Sequence, residues 1–255
     1  MADISISFFS TMMARHVTVK VIIPFDIADL LGYKQPFPTL YFLPGYSANA
    51  ESIVSSTILA ERAAAKGFAV VIPDGENSFY VDQPDINTFY ERFVVEELVS
   101  VTRKLLPISD KQEDTYIGGI SMGGYGCMML ASRHPETFSK VLALSPATKA
   151  FGPKMLENGF TQALLEHYFK SEENYMQNYD PLTNFRQAKA DGKKLPDIYL
   201  CCGEQDPLVY EMDVDFVKQM EQEGISITSQ WGDGVHDSWY WNKVLPDAID
   251  FMLKK

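Results

Sequence analysis

Basic residues are scarce in this chain. Over 255 residues, 22 lysines and arginines stand against 34 aspartates and glutamates, a formal net charge of −12. Such a surface repels phosphate backbones and anionic headgroups, so neither nucleic acid nor a membrane surface is the expected partner. Long apolar runs are missing too, and none approaches the ~20 residues of a membrane-spanning helix. The opening MADISISFFSTMMARH has no basic start followed by an apolar core, so it does not read as a signal peptide. Cysteine is rare: there are three, with Cys201 and Cys202 adjacent. Neighbours on a strand face opposite ways. The three are therefore expected to be reduced core residues, which places the protein in the cytoplasm. Nucleotide-cradling glycine motifs and zinc-spaced cysteine–histidine patterns are absent, so no cofactor and no metal are expected.

What is present is an ordinary globular composition, 46% hydrophobic. Eight runs rich in β-branched and aromatic residues read as strands, at 4–10, 16–24, 39–45, 68–74, 114–121, 140–146, 197–203 and 225–232. Helical patterns cover 51–67, 86–106, 122–134, 211–224 and 237–255. From about residue 39 strand and helix alternate, which predicts a mainly parallel eight-stranded sheet with helices on both faces. No helix separates the first two strands, so they are expected to form an antiparallel edge. Residues 147–196 are too long for a plain connection and carry many aromatics, as expected of a lid-like insertion or pocket wall. No linker divides the chain, so 1–255 reads as one domain.

The stretch GGISMGGYG, residues 118–126, places Ser121 in a Gly-x-Ser-x-Gly pattern between a strand and a helix. That context suits a nucleophile elbow, in which a strained turn exposes the serine hydroxyl and glycines admit the adjoining strand and helix. Gly124 and Gly126 are expected to let the helix approach the sheet. The Met122 N–H, at the helix start, is positioned for an oxyanion. Serine needs a base, and the base an orienting acid. His236 follows the last strand and is the expected base; His167 lies in the insertion. Asp206, in the loop after 197–203, is the expected acid, with Glu204 its competitor and Asp233 and Asp237 flanking the histidine. The loop after the third strand, with Gly45, offers the Tyr46 N–H as second oxyanion donor.

GGISMGGYGC, CCGEQDPLVYE and VHDSWYWNK, in that order, resemble the serine esterases of the esterase D group in the α/β-hydrolase superfamily, and bacterial tributyrin esterases in particular. NSFYVD (77–82) and EELVSVTRKLLP (96–107) extend the resemblance over nearly the whole chain. It implies an α/β-hydrolase fold and hydrolysis of short-chain acyl esters through Ser121, His236 and Asp206, with Met122 and Tyr46 as oxyanion donors. Pro44-Gly45 departs from the His-Gly usual in the group. Feruloyl, acetyl-xylan-fragment and S-formylglutathione esters, or acyl transfer to an acceptor other than water, are the alternatives. The expected partner is a small soluble ester, and homo-oligomerisation is left open. Phe79 and Tyr80 are expected to line the acyl pocket, with Phe151 and Phe160 closing over them.

Overall fold

Strands β3 (Thr39–Leu43), β4 (Ala69–Pro73) and β7 (Thr115–Ile120) are buried along their whole length. Strands covered on both faces need near-continuous apolar runs; these supply them except at the first residues of β3 and β7, Thr39 and Thr115, whose hydroxyls donate to Phe37 O and Lys111 O. The computed structural model describes residues 1–254. Its main sheet has eight strands in the order β1-β2-β4-β3-β7-β8-β9-β10. The others are β1 (Ala2–Ser10), β2 (Arg15–Ile23), β8 (Lys140–Leu144), β9 (Asp197–Gly203) and β10 (Thr228–Gly232). β1 pairs antiparallel with β2, and β2 antiparallel with β4. Every other pairing in this sheet is parallel. The expected sheet and its antiparallel edge are therefore present.

Alternate residues of a strand serve opposite faces. Tyr41 and Leu43 of β3 join one core with Phe79, Tyr125 and Met128. Leu40 and Phe42 join the other, with Leu59, Tyr240 and Ile249. Helices thus cover both faces. On the first lie residues 90–105 and the elbow helix Met122–Arg133; on the second lie Leu59–Lys66 and Ser238–Leu253.

Two predicted helices differ in detail. The one expected over 51–67 is broken into Ala50–Ser56 and Leu59–Lys66. The Thr57 hydroxyl turns back onto Ile53 O, and the Ile58 N–H is taken by Asn242 Oδ1 from the last helix. A hydroxyl bonded to its own backbone and a distant side-chain partner together end the helix. The helix expected from residue 86 starts at Tyr90. Before it, β5 (Asp82–Gln83) and β6 (Thr88–Phe89) form a small hairpin, and Asp82 accepts the Glu91 N–H at the helix start. Between β8 and β9, residues 147–196 hold four short helices. Three begin with a side-chain cap, from Thr161, Ser171 and Asp180. Phe151, Phe169 and Tyr175 from this segment are buried and pack on one another.

Candidate active site

Six parallel strands deliver their C-terminal loops to one edge of the sheet, where ligands bind in open α/β folds. Ser121 sits there, between β7 and the elbow helix, at φ 56° and ψ −115°. A non-glycine residue at positive φ is uncommon and strained, and such strain concentrates at functional sites. The turn is possible because its flanks have no side chain. A Cβ on Gly123 would sit 1.9 Å from Leu43 O, and one on Gly119 2.4 Å from the Gly123 carbonyl carbon. Met122 opens the helix, so its N–H has no intrahelical acceptor.

Asp206 and His236 meet directly: Nδ1 of the imidazole lies 2.6 Å from Asp206 Oδ2. The other carboxylate oxygen accepts the N–H groups of Leu208 and Val209, at 2.9 and 3.3 Å. Asp206 is buried, so its charge faces the imidazole with little screening by water. The competitors are placed differently. Glu204 and Asp233 are exposed, and Asp237 caps the last helix by accepting the Tyr240 N–H. His134 bonds Glu91, and His167 is exposed in the insertion. Among the described residues no hydrogen bond joins Ser121 Oγ to His236.

Sequence reasoning missed Trp241. Its ring stands edge-to-face on His236, with centroids 5.3 Å apart, and its Nε1–H donates to Ser145 Oγ at 3.1 Å. The imidazole is thus held by a carboxylate at Nδ1 and by an anchored indole that packs perpendicular to it. The signal available was the aromatic run Trp239-Tyr240-Trp241 just after the histidine.

Gly45 and Tyr46 lie beside the elbow: a Cβ on Gly45 would be 3.4 Å from Ser121 Cβ. The loop after β4 braces this segment at two points. Asn77 Oδ1 accepts the Ser47 N–H at 2.6 Å, and the Tyr80 hydroxyl donates to Pro44 O at 2.7 Å. Burial pushes the Tyr80 phenol well up from its ordinary value, so it stays a donor. Four residues of this brace, Glu76, Asn77, Phe79 and Tyr80, have positive φ.

Two expectations need correction. Tyr80 does not line a pocket: it is fully buried, and its ring fills the space beside Gly126, where a Cβ would lie 2.3 Å from it. Gly126 therefore makes room for Tyr80 rather than for the sheet, whereas Gly124 does let the helix approach the sheet: a Cβ there would lie 2.9 Å from Pro146 Cα, just after β8, and 3.3 Å from Gly119 O of β7. Phe79 is also fully buried, behind the partly buried Tyr46, Phe160 and Tyr168, whose centroids lie 5.0–6.0 Å from its own. Tyr46 and Phe160 meet edge-to-face at 5.1 Å.

Tyr80→Phe is expected to cost about 1–3 kcal/mol of stability, because Pro44 O is left buried without its partner. It is also expected to lower kcat several-fold with KM little changed. Urea melts and steady-state kinetics check this, and a variant equal to wild type in both would contradict the bracing role.

An eight-stranded, mainly parallel sheet carrying a serine at such a turn defines an α/β-hydrolase-type serine hydrolase. The family model "Putative esterase" matches residues 10–252, and the chain belongs to that family. It is 33% identical to an acetyl esterase of Caldicellulosiruptor saccharolyticus, over 100% of this chain and 99% of the relative. Among solved structures it is similar to FphF, a fluorophosphonate-binding serine hydrolase of Staphylococcus aureus with substrate bound. The TM-score is 0.89 at 25% identity, covering 100% of this chain and 99% of the other. It is likewise similar to the S-formylglutathione hydrolase FrmB of the same organism, with TM-score 0.87, 25% identity and 99% of each chain covered. The chain is a serine esterase, a carboxylic ester hydrolase. No helix among the described residues is long and apolar enough to cross a membrane.

Proposed function

We propose that the protein hydrolyses short-chain acyl esters, acetyl to butyryl, with Ser121 as nucleophile, His236 as base and Asp206 as its orienting acid. The observation that carries the chemistry is the 2.6 Å contact of His236 Nδ1 with buried Asp206. It fixes the tautomer that leaves Nε2 free to accept a proton. Ser121 Oγ attacks the ester carbonyl carbon while His236 Nε2 takes its proton. Contacts between nucleophile and base are often loose without substrate and tighten in the complex. The carbonyl oxygen becomes an oxyanion, met by the N–H groups of Met122 and Tyr46, each worth about 10²–10³ in kcat. The imidazolium returns its proton to the departing alkoxide, leaving an alcohol and an acyl-serine. Water, deprotonated by the same imidazole, releases the acid and restores Ser121.

The short acyl preference rests on the rings beside the Tyr46 donor. Tyr46, Phe160 and Tyr168 back onto Phe79, which is itself packed on Tyr125 and Phe169. A wall of rings several deep does not yield to a long chain without losing its own contacts. The acetyl esterase relative supports the same reading. Across nitrophenyl esters, kcat/KM is expected to peak between two and four carbons and to fall beyond about six, each methylene being worth about 1–3 kcal/mol of discrimination. Phe160→Ala is expected to move the optimum to longer chains. An optimum at eight carbons or more, or preference for methyl ferulate or S-formylglutathione in the same assay, would overturn this substrate class.

We read residues 1–255 as one hydrolase domain, with 147–196 supplying the pocket wall. Three buried, unpaired cysteines support a reducing, cytoplasmic setting.

A further inference from the structure

The contact of His236 Nδ1 with Asp206 fixes one atom of the imidazole. A single hydrogen bond leaves the plane of the ring free to turn about it, and Nε2 swings with that plane. The loop that carries the histidine is pinned one residue further back. The Gly234 N–H donates to Gln205 Oε1 and Gly234 O accepts the Gln205 N–H, while Val235 is exposed. The ring that stands against the imidazole is Trp241, perpendicular to it at 5.3 Å. The indole has one polar atom, and its N–H donates to Ser145 Oγ at 3.1 Å.

Ser145 is placed to serve as a fixed point. It directly follows β8 and is completely buried. Leu144 O, just before it, accepts the Ser121 N–H at 3.0 Å, and the Ala147 N–H, just after it, donates to Ser121 O at 3.2 Å. Its own N–H donates to Cys201 O at 2.7 Å. The segment around Ser145 is therefore tied to the nucleophile from both sides. Ser145 also stands at φ 41°. A backbone at positive φ favours glycine, so a buried serine there carries a strain that glycine would not. What serine adds over glycine at this point is a hydroxyl, and that hydroxyl meets Trp241.

We propose that Ser145 is a positioning residue for the base, acting through Trp241. The inference rests on the triad proposed above. Ser145 Oγ holds the indole, the indole sets the plane of the imidazole, and that plane decides where Nε2 stands relative to Ser121 Oγ. Nucleophile and base are thereby referred to one fixed segment, the end of β8. The role is one of geometry, whereas the charge that favours the imidazolium comes from Asp206.

The test reads kcat per active site, with sites counted by fluorophosphonate labelling carried to completion, so that any loss of folded protein drops out. Ser145→Ala is expected to lower kcat about tenfold with KM unchanged within about twofold, short of the ~10²-fold that a 1 Å misplacement costs. The pH at which the rate rises is expected to stay in place, because the Asp206 contact is untouched. Ser145→Gly relaxes the backbone but also lacks the hydroxyl, so it is expected to lose as much as Ser145→Ala. Trp241→Phe keeps a ring beside the imidazole and removes the N–H, and its loss is expected to be at least as large. The double variant decides the route. If the hydroxyl acts through the indole N–H, Ser145→Ala has no further effect in the Trp241→Phe background.

Wild-type kcat per site in Ser145→Ala or Ser145→Gly would overturn the proposal. So would a full tenfold effect of Ser145→Ala in the Trp241→Phe background, or a shifted pH dependence with kcat unchanged at its plateau. If Trp241→Phe does not fold, the two Ser145 variants carry the test. His236→Ala separates this role from the triad itself. With His236→Ala inactive and Ser145→Ala fully active, the triad stands and the positioning role falls. An active His236→Ala overturns both.

Discussion

Ser121→Ala is expected to lower kcat about 10⁴–10⁶-fold, because the acyl-enzyme route disappears while binding and the oxyanion donors remain. The fold is expected to survive. Ser121 occupies its strained turn without a side-chain capping hydrogen bond, so deleting the hydroxyl removes no structural partner. Alanine meets the same backbone strain as serine at φ 56°. A stability change within about 0.5 kcal/mol follows, as for substitutions away from packing and polar networks. Rate assays on a butyryl ester, far-UV circular dichroism and labelling with a fluorophosphonate probe check the three parts. Label is expected on wild type and none on the variant. Retention of more than a few per cent of activity would remove Ser121 from the reaction.

The sheet could be read from the chain because its central strands are buried on both faces. Such strands are continuous apolar runs, as in TLYFL and AVVIP, bounded by proline, glycine or aspartate. The helix limits were less legible where a distant partner sets them. Nothing local in 51–67 says that Asn242 will take the Ile58 N–H and divide the helix. The elbow was legible for a steric reason, since a strand and a helix meeting within five residues need glycine where the backbones touch.

The brace around Pro44 was not legible in the same way. Tyr80 looks like a pocket aromatic in sequence, and only its depth and its bond to Pro44 O show it as a support. NSFYVD gave no sign that four nearby residues would take positive φ. Asp213 was invisible for a related reason. In a helix with acidic neighbours it reads as one more solvated carboxylate, and its burial against Thr148 comes from tertiary packing.

Asp206→Asn is expected to lower kcat by about 10⁴-fold, close to the loss of the base itself. The carboxylate oxygen that meets His236 Nδ1 accepts a hydrogen bond and stabilises the imidazolium formed when Ser121 gives up its proton. An amide turned to donate at that position favours the tautomer with hydrogen on Nε2, which cannot take the serine proton. An amide turned to accept lacks the charge that favours the imidazolium. The leucine and valine N–H groups on Oδ1 select between the two. They require an acceptor there, so the amide oxygen occupies the Oδ1 place and the NH₂ faces His236, the worse of the two outcomes. His236→Ala is expected to be at least as damaging, since no other histidine stands near Asp206. Glu204→Gln, Asp233→Asn and Asp237→Asn are expected to stay within about tenfold of wild type: the first two are exposed, and asparagine caps a helix about as well as aspartate. In wild type, kcat/KM is expected to rise with pH through a single ionisation, because only the neutral imidazole accepts a proton. Rate–pH profiles over the five variants test the assignment. Loss of activity in Glu204→Gln with Asp206→Asn spared would transfer the role of acid, and an unchanged profile in His236→Ala would remove His236 as the base.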